Sequence, residues 1–573
     1  MSKYRRFLLL LAAAVFCTAL TACGSKSEPA VNDSSDGTSA LSEASETSYS
    51  DVSESSSGEI PEISSDDVSE ISSADGPAYV ISNLPSTEVL LTNADIANDT
   101  LLPMEGTSGV LVVYVGFTDG YVCDRELLEN SFAKYYKTDE CLRSVRSYYR
   151  LNSGGRVDFD FHFAYYDCPM TGSEAWAYVE GPDEVHGDII GNDFFIDIFE
   201  KVRANYSGDF SELDKDRDGW VDCSIFVFGD DSSKNIIDGW EYHIYGNGAR
   251  GALNGYRGVP DVNNPGINAY LKLNYDYFLT PFHYDEEPST GNVRTAIHEL
   301  GHMFGLKDYY DSYPYEGETT DTLGTFDMQS HNIGDWNVYS KMCCGWLKPY
   351  VITEDIQEIT LKLGCSSLTN EAVLIPTSKG WNQTPYDEYI MIDVMAPEGA
   401  NAFDWTEACD PRLDPSPSSA YTGQKGGVRI YHVDSRLVIR DLAQDTCTAL
   451  TDFSLIPETK ANPDKKIWYA FVNSNGSAPY LPEYSQFWHQ IDLIPRSGSS
   501  KFRLCTPIGW ATYTPFHVKD LFRTGDVFSM ETCADAFPEA PYMNNGGTLD
   551  YEVRVESYDE ETHEAVITIT KIR

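Results

Sequence analysis

The chain has 573 residues, with 89 acidic and 41 basic side chains and a formal net charge of −48. Apolar residues make up 42 % and aromatic residues 13 %, which is enough for a sizeable core and excludes wholesale disorder. The negative charge excludes a nucleic-acid binder, which needs a basic face, and excludes adhesion to anionic lipid by charge alone.

The N-terminus has the features of an export signal. Three basic residues precede an apolar or small-residue run over 7–22, which is shorter than the ~20 residues that span a bilayer. The run ends in Leu-Thr-Ala-Cys-Gly at 20–24, which resembles the lipobox of bacterial lipoproteins. The resemblance implies a lipoprotein signal peptide over 1–22, lipidation of Cys23, and an extracellular protein anchored by lipid to the bacterial cell membrane surface. The alternative is an ordinary signal peptide that contains a cysteine.

The next segment is predicted to be a disordered spacer over 23–76. Residues 24–76 contain 18 serines, 13 acidic residues and one lysine, with almost no large apolar side chains. Such a segment cannot bury enough surface to offset its chain entropy, and its like charges extend it. It carries −12 of the −48 charge, so the acidity is not confined to this segment.

Residues 77–349 mix predicted strands and helices, which indicates an α+β domain. Short apolar, β-branched runs predict the strands, apolar residues at helical spacing predict most of the helices, and two glycines at 154–155 end the first helix. The strands are predicted over 109–117, 157–165 and 221–228, and the helices over 138–150, 192–205 and 288–304.

Residues 350–573 are predicted to form a mainly β, sandwich-like region, because short β-branched runs alternate with turn residues. Examples of these runs are 369–376, 387–394, 427–433, 467–472 and 551–570. Within them, His432 and Asp434 are interpreted as structural rather than as a pair of metal ligands. Beyond Cys23 the exported chain has eleven cysteines, an odd number, and we assign no disulfide pairing.

An aspartate-rich loop is the first candidate metal site. Its alternating carboxylates, followed by Gly219 for a sharp turn, are typical of a calcium loop, although Ile225 stands where an EF-hand has its bidentate glutamate. We predict calcium bound with help from elsewhere; the alternative is a solvated acidic turn. The candidate calcium ligands are Asp214, Asp216, Asp218 and Asp222.

The second candidate site is the segment HELGHMFGLKD at 298–308. His298 and His302 are four residues apart, so on a helix they share one face and can bind one zinc ion. Glu299 can reach a metal-bound water as general base. Gly305 can end the helix in a left-handed conformation, and Asp308 then supplies a carboxylate. Two imidazoles and one carboxylate leave a position for water, as in catalytic rather than structural zinc sites.

This segment resembles the zinc signature of the immune inhibitor A family of secreted bacterial metallopeptidases, metzincin-like proteins that carry HExxHxxGxxD. The resemblance implies a metzincin-like catalytic domain over 77–349 and a zinc endopeptidase, with Glu299 activating a zinc-bound water to hydrolyse peptide bonds in extracellular proteins. It also implies a Met-turn in which Met328 packs beneath the zinc. Other segments resemble the family in the expected order, namely 214–222, 324–328, 339–349, 388–393 and 427–434.

The sequence departs from that family at two places. Residues 329–331, Gln-Ser-His, follow Met328, so no transition-state tyrosine can be assigned there, and His331 is interpreted as a surface residue rather than a donor. Lys307 precedes Asp308 where the family often has proline, which leaves Asp311 open as an alternative third zinc ligand.

Two other functional hypotheses are alternatives to a peptidase. One is a non-catalytic binding lipoprotein with a protease-like fold, although such proteins usually lose the glutamate or a histidine, and this chain keeps them. The other is a zinc hydrolase that acts on something other than peptides. The partners expected for a peptidase are protein or peptide substrates and the membrane, reached through the lipid; a monomer is expected.

Overall fold

The computed structural model divides the chain between residues 77 and 78 into two compact units. The predicted signal peptide, Cys23 and the spacer lie outside the described residues, so everything below concerns the second unit. The structure describes residues 80–81, 83–96, 102–175, 187–230, 236–237, 240–241, 251–252, 263, 265–267, 269–279, 291–309, 318–319, 322–323, 326–331, 334–402, 405, 425–470, 480–485, 487–499, 504–505 and 517–573.

A five-stranded mixed sheet forms the centre of the N-terminal half. Four strands run parallel and the last, at one edge, is antiparallel. The strand Gly106–Gly116 contains the Val-rich run predicted from the sequence, and it is buried on both faces, as expected for a strand inside a parallel sheet. In spatial order the strands are Val157–Asp167, Gly106–Gly116, Cys223–Phe228, Ala269–Asn274 and Gly251–Ala252.

Helices cover both faces of this sheet. Successive side chains of a strand point to opposite faces, so apolar residues of the central strands contact a different core on each side. Val110 and Val112 join a core that contains the helix Arg294–Met303. Leu111 and Val113 join a separate core with aromatic side chains of the helix Gly187–Asn205. The candidate zinc segment therefore packs against one face of this sheet.

The remaining helices are short. The helix predicted over 138–150 is divided, since Ser144 is extended and its side chain accepts a hydrogen bond from the Ser147 backbone as an N-cap. Described α-helices are Asn93–Ile96, Arg125–Ala133, Val145–Asn152, Asp276–Leu279, Met328–His331, Val338–Cys343, Ser366–Thr369 and Ile456–Ala461. Described 3-10 turns are Thr138–Arg143, Phe210–Leu213, Gly399–Asn401, Phe453–Leu455, Val518–Asp520 and Ala534–Ala536.

Two five-stranded sheets dominate the C-terminal half and share one core, to which Leu361 and Ile567 contribute from the first sheet and Ile392 and Ile430 from the second. The first sheet has the order Val80–Ile81, Glu358–Leu363, Glu564–Lys571, Tyr551–Asp559 and Val527–Phe528. The second has the order Tyr350–Val351, Val373–Pro376, Glu388–Met395, Gly427–Asp434 and Ile491–Leu493. A three-stranded sheet consists of Thr446–Ala449, Leu437–Asp441 and Lys465–Tyr469. Two-strand pairs join Ile236–Ile237 to Trp240–Glu241 and Glu318–Thr319 to Leu504–Cys505.

The two halves are not separate bodies. Met391, Tyr431 and Tyr469 from the β-rich half belong to the same core as Ile297 and Leu300 of the helix Arg294–Met303. The change near residue 350 is therefore a change of secondary structure inside one compact unit that runs from residue 78 to residue 573. Among the described residues, no helix is long and apolar enough to cross a membrane.

Candidate metal centre

The HExxH helix, Arg294–Met303, presents His298 and His302 on one face. Their ring centroids are 5.0 Å apart. The Nε2 atoms of His298 and His302 lie 2.9 Å and 3.5 Å from the same carboxylate oxygen, Oδ1 of Asp308. The structure thus brings together the three residues that the sequence predicts as zinc ligands.

Backbone carbonyls orient both imidazoles. The Nδ1 atom of His298 lies 2.9 Å from the carbonyl oxygen of Met328, and Nδ1 of His302 lies 2.9 Å from that of Leu306. Because a carbonyl can only accept a hydrogen bond, each Nδ1 is the protonated donor. Nε2 of each ring then faces Asp308. When the ring is charged this nitrogen donates to the carboxylate, and in the neutral ring it carries the lone pair that a metal ligand needs.

A left-handed turn returns the chain to the helix and delivers Asp308. Gly305 has φ +76°, a value that favours glycine, as the sequence predicts. Its N–H donates to the His302 carbonyl at 2.9 Å, and the Leu306 N–H donates to the Gly301 carbonyl at 3.3 Å. These bonds satisfy carbonyls at the end of the helix and set the short path to Asp308.

Glu299 lies beside the converging ligands and is only 4 % exposed. Its Oε2 atom is 3.7 Å from Nε2 of His302. Burial raises the pKa of Glu299 above the usual range, although the two histidines oppose this. A carboxylate with a raised pKa is a better proton acceptor near neutral pH.

The charges around the centre are strongly coupled. Burial by itself lowers the pKa of His298, but the hydrogen bond to Asp308 and the charge of Glu299 raise it to about 9. Burial opposes ionisation of Asp308, yet hydrogen bonds from His298 and His302 hold its pKa well below the usual range. Two imidazole nitrogens and one carboxylate oxygen form a donor set that fits zinc. Ligand atoms of His298, Glu299 and His302 all lie within 4.8 Å of one another.

Met328 is fully buried in the main core, and its carbonyl contributes to the site through His298. The next residue, Gln329, is also buried and accepts a hydrogen bond from the Trp336 indole at 3.2 Å. A Cβ added at Gly301 would lie 2.5 Å from the amide oxygen of Gln329, so this glycine permits the helix to pack closely against Gln329. The side chain of His331 and all of Asp311 lie outside the described residues.

The aspartate-rich loop also forms a group of carboxylates. Ligand oxygens of Asp214, Asp216 and Asp218 lie within 4.8 Å of one another, and Gly219 has φ +90°. Asp222 lies outside this group of described residues. Its two oxygens accept hydrogen bonds from the backbone N–H groups of Gly109 at 2.6 Å and Lys215 at 3.0 Å, so it anchors the loop to the mixed sheet.

His432 and Asp434 belong to a buried polar network. Nε2 of His432 lies 2.8 Å from Oε1 of Glu388, and Asp434 accepts two hydrogen bonds at 2.7 Å from Arg436. Asn544 donates to Asp434 at 2.9 Å. These contacts are consistent with the structural interpretation. Among the cysteines whose side chains the structure describes, no disulfide forms; these are Cys123, Cys141, Cys168, Cys223, Cys343, Cys344, Cys365, Cys447 and Cys533.

Two contributors to the centre have no signal in the local sequence. Leu306 orients His302 through its backbone carbonyl, so the identity of its side chain gives no indication of this role. Asn93 donates from Nδ2 to the Phe304 carbonyl at 3.0 Å, across 211 residues of chain. Neither a motif nor a periodic pattern links such distant positions.

Comparison with the models of known protein families and with the sequences of curated proteins finds no match for this chain. The residues of the site, their geometry and the motif resemblance are therefore what indicate its function.

Proposed function

We propose that this chain is a zinc-dependent endopeptidase that hydrolyses peptide bonds in extracellular proteins. The observation that carries the proposal is the convergence of His298 Nε2 and His302 Nε2 on Asp308 Oδ1, with Glu299 buried beside them. The tautomers required for metal binding are those that the carbonyls of Met328 and Leu306 favour.

His298, His302 and Asp308 would hold the ion. Zinc in such a site acts as a Lewis acid that acidifies water and polarises a peptide carbonyl. Glu299 accepts the proton that the attacking water loses, and then passes it to the nitrogen of the leaving amine. Because Glu299 is buried and its pKa is raised, it is suited to both transfers.

The test compares the full-length protein with its Glu299→Gln variant on a mixture of unfolded proteins, with cleavage sites identified by mass spectrometry. The variant should lose about 10²–10⁴-fold in rate while it keeps zinc, since proton transfer supplies a factor of this size. Glu126→Gln, at an exposed side chain of the helix Arg125–Ala133, is the matched control and should cleave as the parent does. Zinc bound without cleavage by the parent would instead favour the binding lipoprotein.

We also propose that the aspartate-rich loop binds calcium through Asp214, Asp216 and Asp218. Calcium prefers carboxylate and carbonyl oxygens, and the close carboxylates would repel one another without a cation. Asp214 illustrates this repulsion, because burial and the neighbouring Asp216 raise its pKa although backbone hydrogen bonds lower it.

Finally, we propose that lipid on Cys23 anchors the enzyme to the outer face of the cell membrane. The proposal is supported by the export signal and lipobox resemblance of residues 1–24. A Cys23→Ser variant should appear in the culture medium, whereas the parent should sediment with membranes. Equal sedimentation of the two proteins would contradict lipid anchoring.

A further inference from the structure

Asn93 lies against the turn that follows the HExxH helix. It begins the short helix Asn93–Ile96 and is 1 % exposed. A Cβ added at Gly305 would lie only 3.0 Å from Cβ of Asn93, so the two residues are in direct contact. A buried asparagine in such a position needs partners for both ends of its amide group.

The structure supplies these partners from two directions. Nδ2 of Asn93 donates to the carbonyl of Phe304 at 3.0 Å. Oδ1 accepts hydrogen bonds from the hydroxyls of Tyr386 at 3.1 Å and Tyr469 at 2.8 Å. The amide orientation is determined, because a flipped side chain would place its oxygen against the Phe304 carbonyl.

The bonded carbonyl belongs to the turn that relates two predicted ligands. Phe304 lies between His302 and Asp308 in the chain, and Leu306 of the same turn accepts the hydrogen bond from His302. A shift of the Phe304 peptide would therefore change both the imidazole orientation of His302 and the approach of Asp308. A second contact braces the same end of the helix, since the Leu102 N–H donates to the Met303 carbonyl at 3.0 Å.

We propose that Asn93 is a positioning residue for the metal centre, through which the β-rich half of the chain controls the ligand turn. Tyr386 and Tyr469 fix the Asn93 amide, and that amide fixes the carbonyl of Phe304. The inference rests on the proposed zinc site and extends it, since it assigns a role to the segment 83–96, which contains Asn93, and to the β-rich half. Both would hold the turn that carries the ligands in place.

The decisive variant is Asn93→Asp in the full-length protein. It keeps the size of the side chain and the acceptor for both tyrosines, and in its ionised form it replaces the donor with an oxygen that faces the Phe304 carbonyl. Because burial favours the protonated carboxyl, whose O–H donates in place of the amide, zinc binding is measured at several pH values up to about 9. Zinc affinity, measured by competition with a chromogenic chelator, should fall about 10–100-fold, the usual effect of losing a partner that orients metal ligands. The visible absorption of the Co²⁺-substituted protein should change, since it reports the geometry of the ligands.

Asn544→Asp is the matched control, because Asn544 is another buried amide that loses a donor in this change, here toward Asp434. It should lower the melting temperature while the zinc affinity and the cobalt spectrum stay those of the parent. If Asn93→Asp fails to fold, the Tyr386→Phe, Tyr469→Phe double variant tests the same path. It should also weaken zinc binding, because Oδ1 of Asn93 loses the two tyrosine hydroxyls that donate to it.

The outcomes separate this inference from the proposed function. Parent protein that binds zinc and cleaves, together with an Asn93→Asp variant whose zinc affinity and cobalt spectrum equal those of the parent, would overturn the role of Asn93 alone. An unchanged double variant would overturn it as well. Parent protein that binds no zinc would instead overturn the proposed function.

Discussion

The Nδ1 atom of His298 donates to the carbonyl of Met328, 2.9 Å away and 30 residues further along the chain. The contribution of Met328 to the site therefore includes its backbone as well as its buried side chain. The Met328 carbonyl can orient His298 only if the backbone around Met328 is held in place, and hydrogen bonds of the neighbouring residues hold it. Asp327 accepts from the Gln329 N–H at 2.8 Å, and Met328 itself donates to the Asp335 carbonyl at 3.3 Å.

Asp308 is expected to be the third metal ligand. Its Oδ1 atom faces the Nε2 atoms of both histidines at 2.9 and 3.5 Å. Asp308→Asn should lower zinc affinity at least about 10-fold, because an amide oxygen is neutral and a weaker ligand than a carboxylate. Asp311→Asn is the matched control and should bind zinc as the parent does. A loss of zinc only in Asp311→Asn would reverse the assignment.

A buried ion pair supports the segment that follows Met328. Nζ of Lys341 lies 2.7 Å from Oδ2 of Asp335, and both side chains are fully buried. Lys341→Met should reduce the free energy of unfolding by about 3–5 kcal/mol, because it leaves a buried carboxylate without its partner. Denaturant unfolding measures this change.

The control for that experiment is an exposed pair. Lys201 and Asp197 are 3.4 Å apart with side chains 51 % and 74 % exposed, so Lys201→Met should cost less than about 1 kcal/mol. Similar losses in Lys201→Met and Lys341→Met would contradict the importance of burial at Lys341.

Asp327 should make stability depend on pH. It is fully buried, and burial raises its pKa to about 7 although it accepts hydrogen bonds from Asn337 and Gln329. Since the folded pKa lies above the unfolded value, the folded state holds the proton more tightly between roughly pH 4 and 7. The stabilisation is complete below that window and is lost as the pH rises through it.

Asp327→Asn should remove this dependence. From pH 4 to 7 the parent should lose a few kcal/mol of unfolding free energy relative to the variant, at about 1.4 kcal/mol for each pKa unit. Urea unfolding at several pH values provides the comparison. Parallel stability profiles for the two proteins would show that Asp327 does not titrate in this window.

Calcium binding should depend more strongly on the grouped aspartates than on Asp222. Asp218→Asn removes a carboxylate from the group, so it should weaken binding of Ca²⁺ or of luminescent Tb³⁺ by about tenfold or more. Asp222→Asn should weaken binding less than Asp218→Asn, because Asp222 lies outside the group and acts only by holding the loop through the N–H groups of Gly109 and Lys215. Saturating calcium should also raise the melting temperature of the parent. No response to calcium in the parent would exclude the site.

Local patterns predict much of the secondary structure. The Val-rich run became the strand Gly106–Gly116, and the apolar spacing near residue 195 became the helix Gly187–Asn205. The helix predicted over 138–150 was wrong in its first half, because the cap at Ser144 competes with helix propagation. Strands predominate among the described residues after about residue 350, as the short β-branched runs predict. The sequence pattern does not show that the segments before and after this point share a core.

The sequence by itself identified side chains of the candidate centre, because the spacing of His298, Glu299, His302 and Gly305 acts within one helix and its end. Only the tertiary structure decided which groups hold these side chains. The Met328 carbonyl and the Asn93 amide meet the site across 30 and 211 residues. Such contacts come from the packing of helices and strands in the folded chain, and packing between distant segments leaves no period in the sequence from which it could be read.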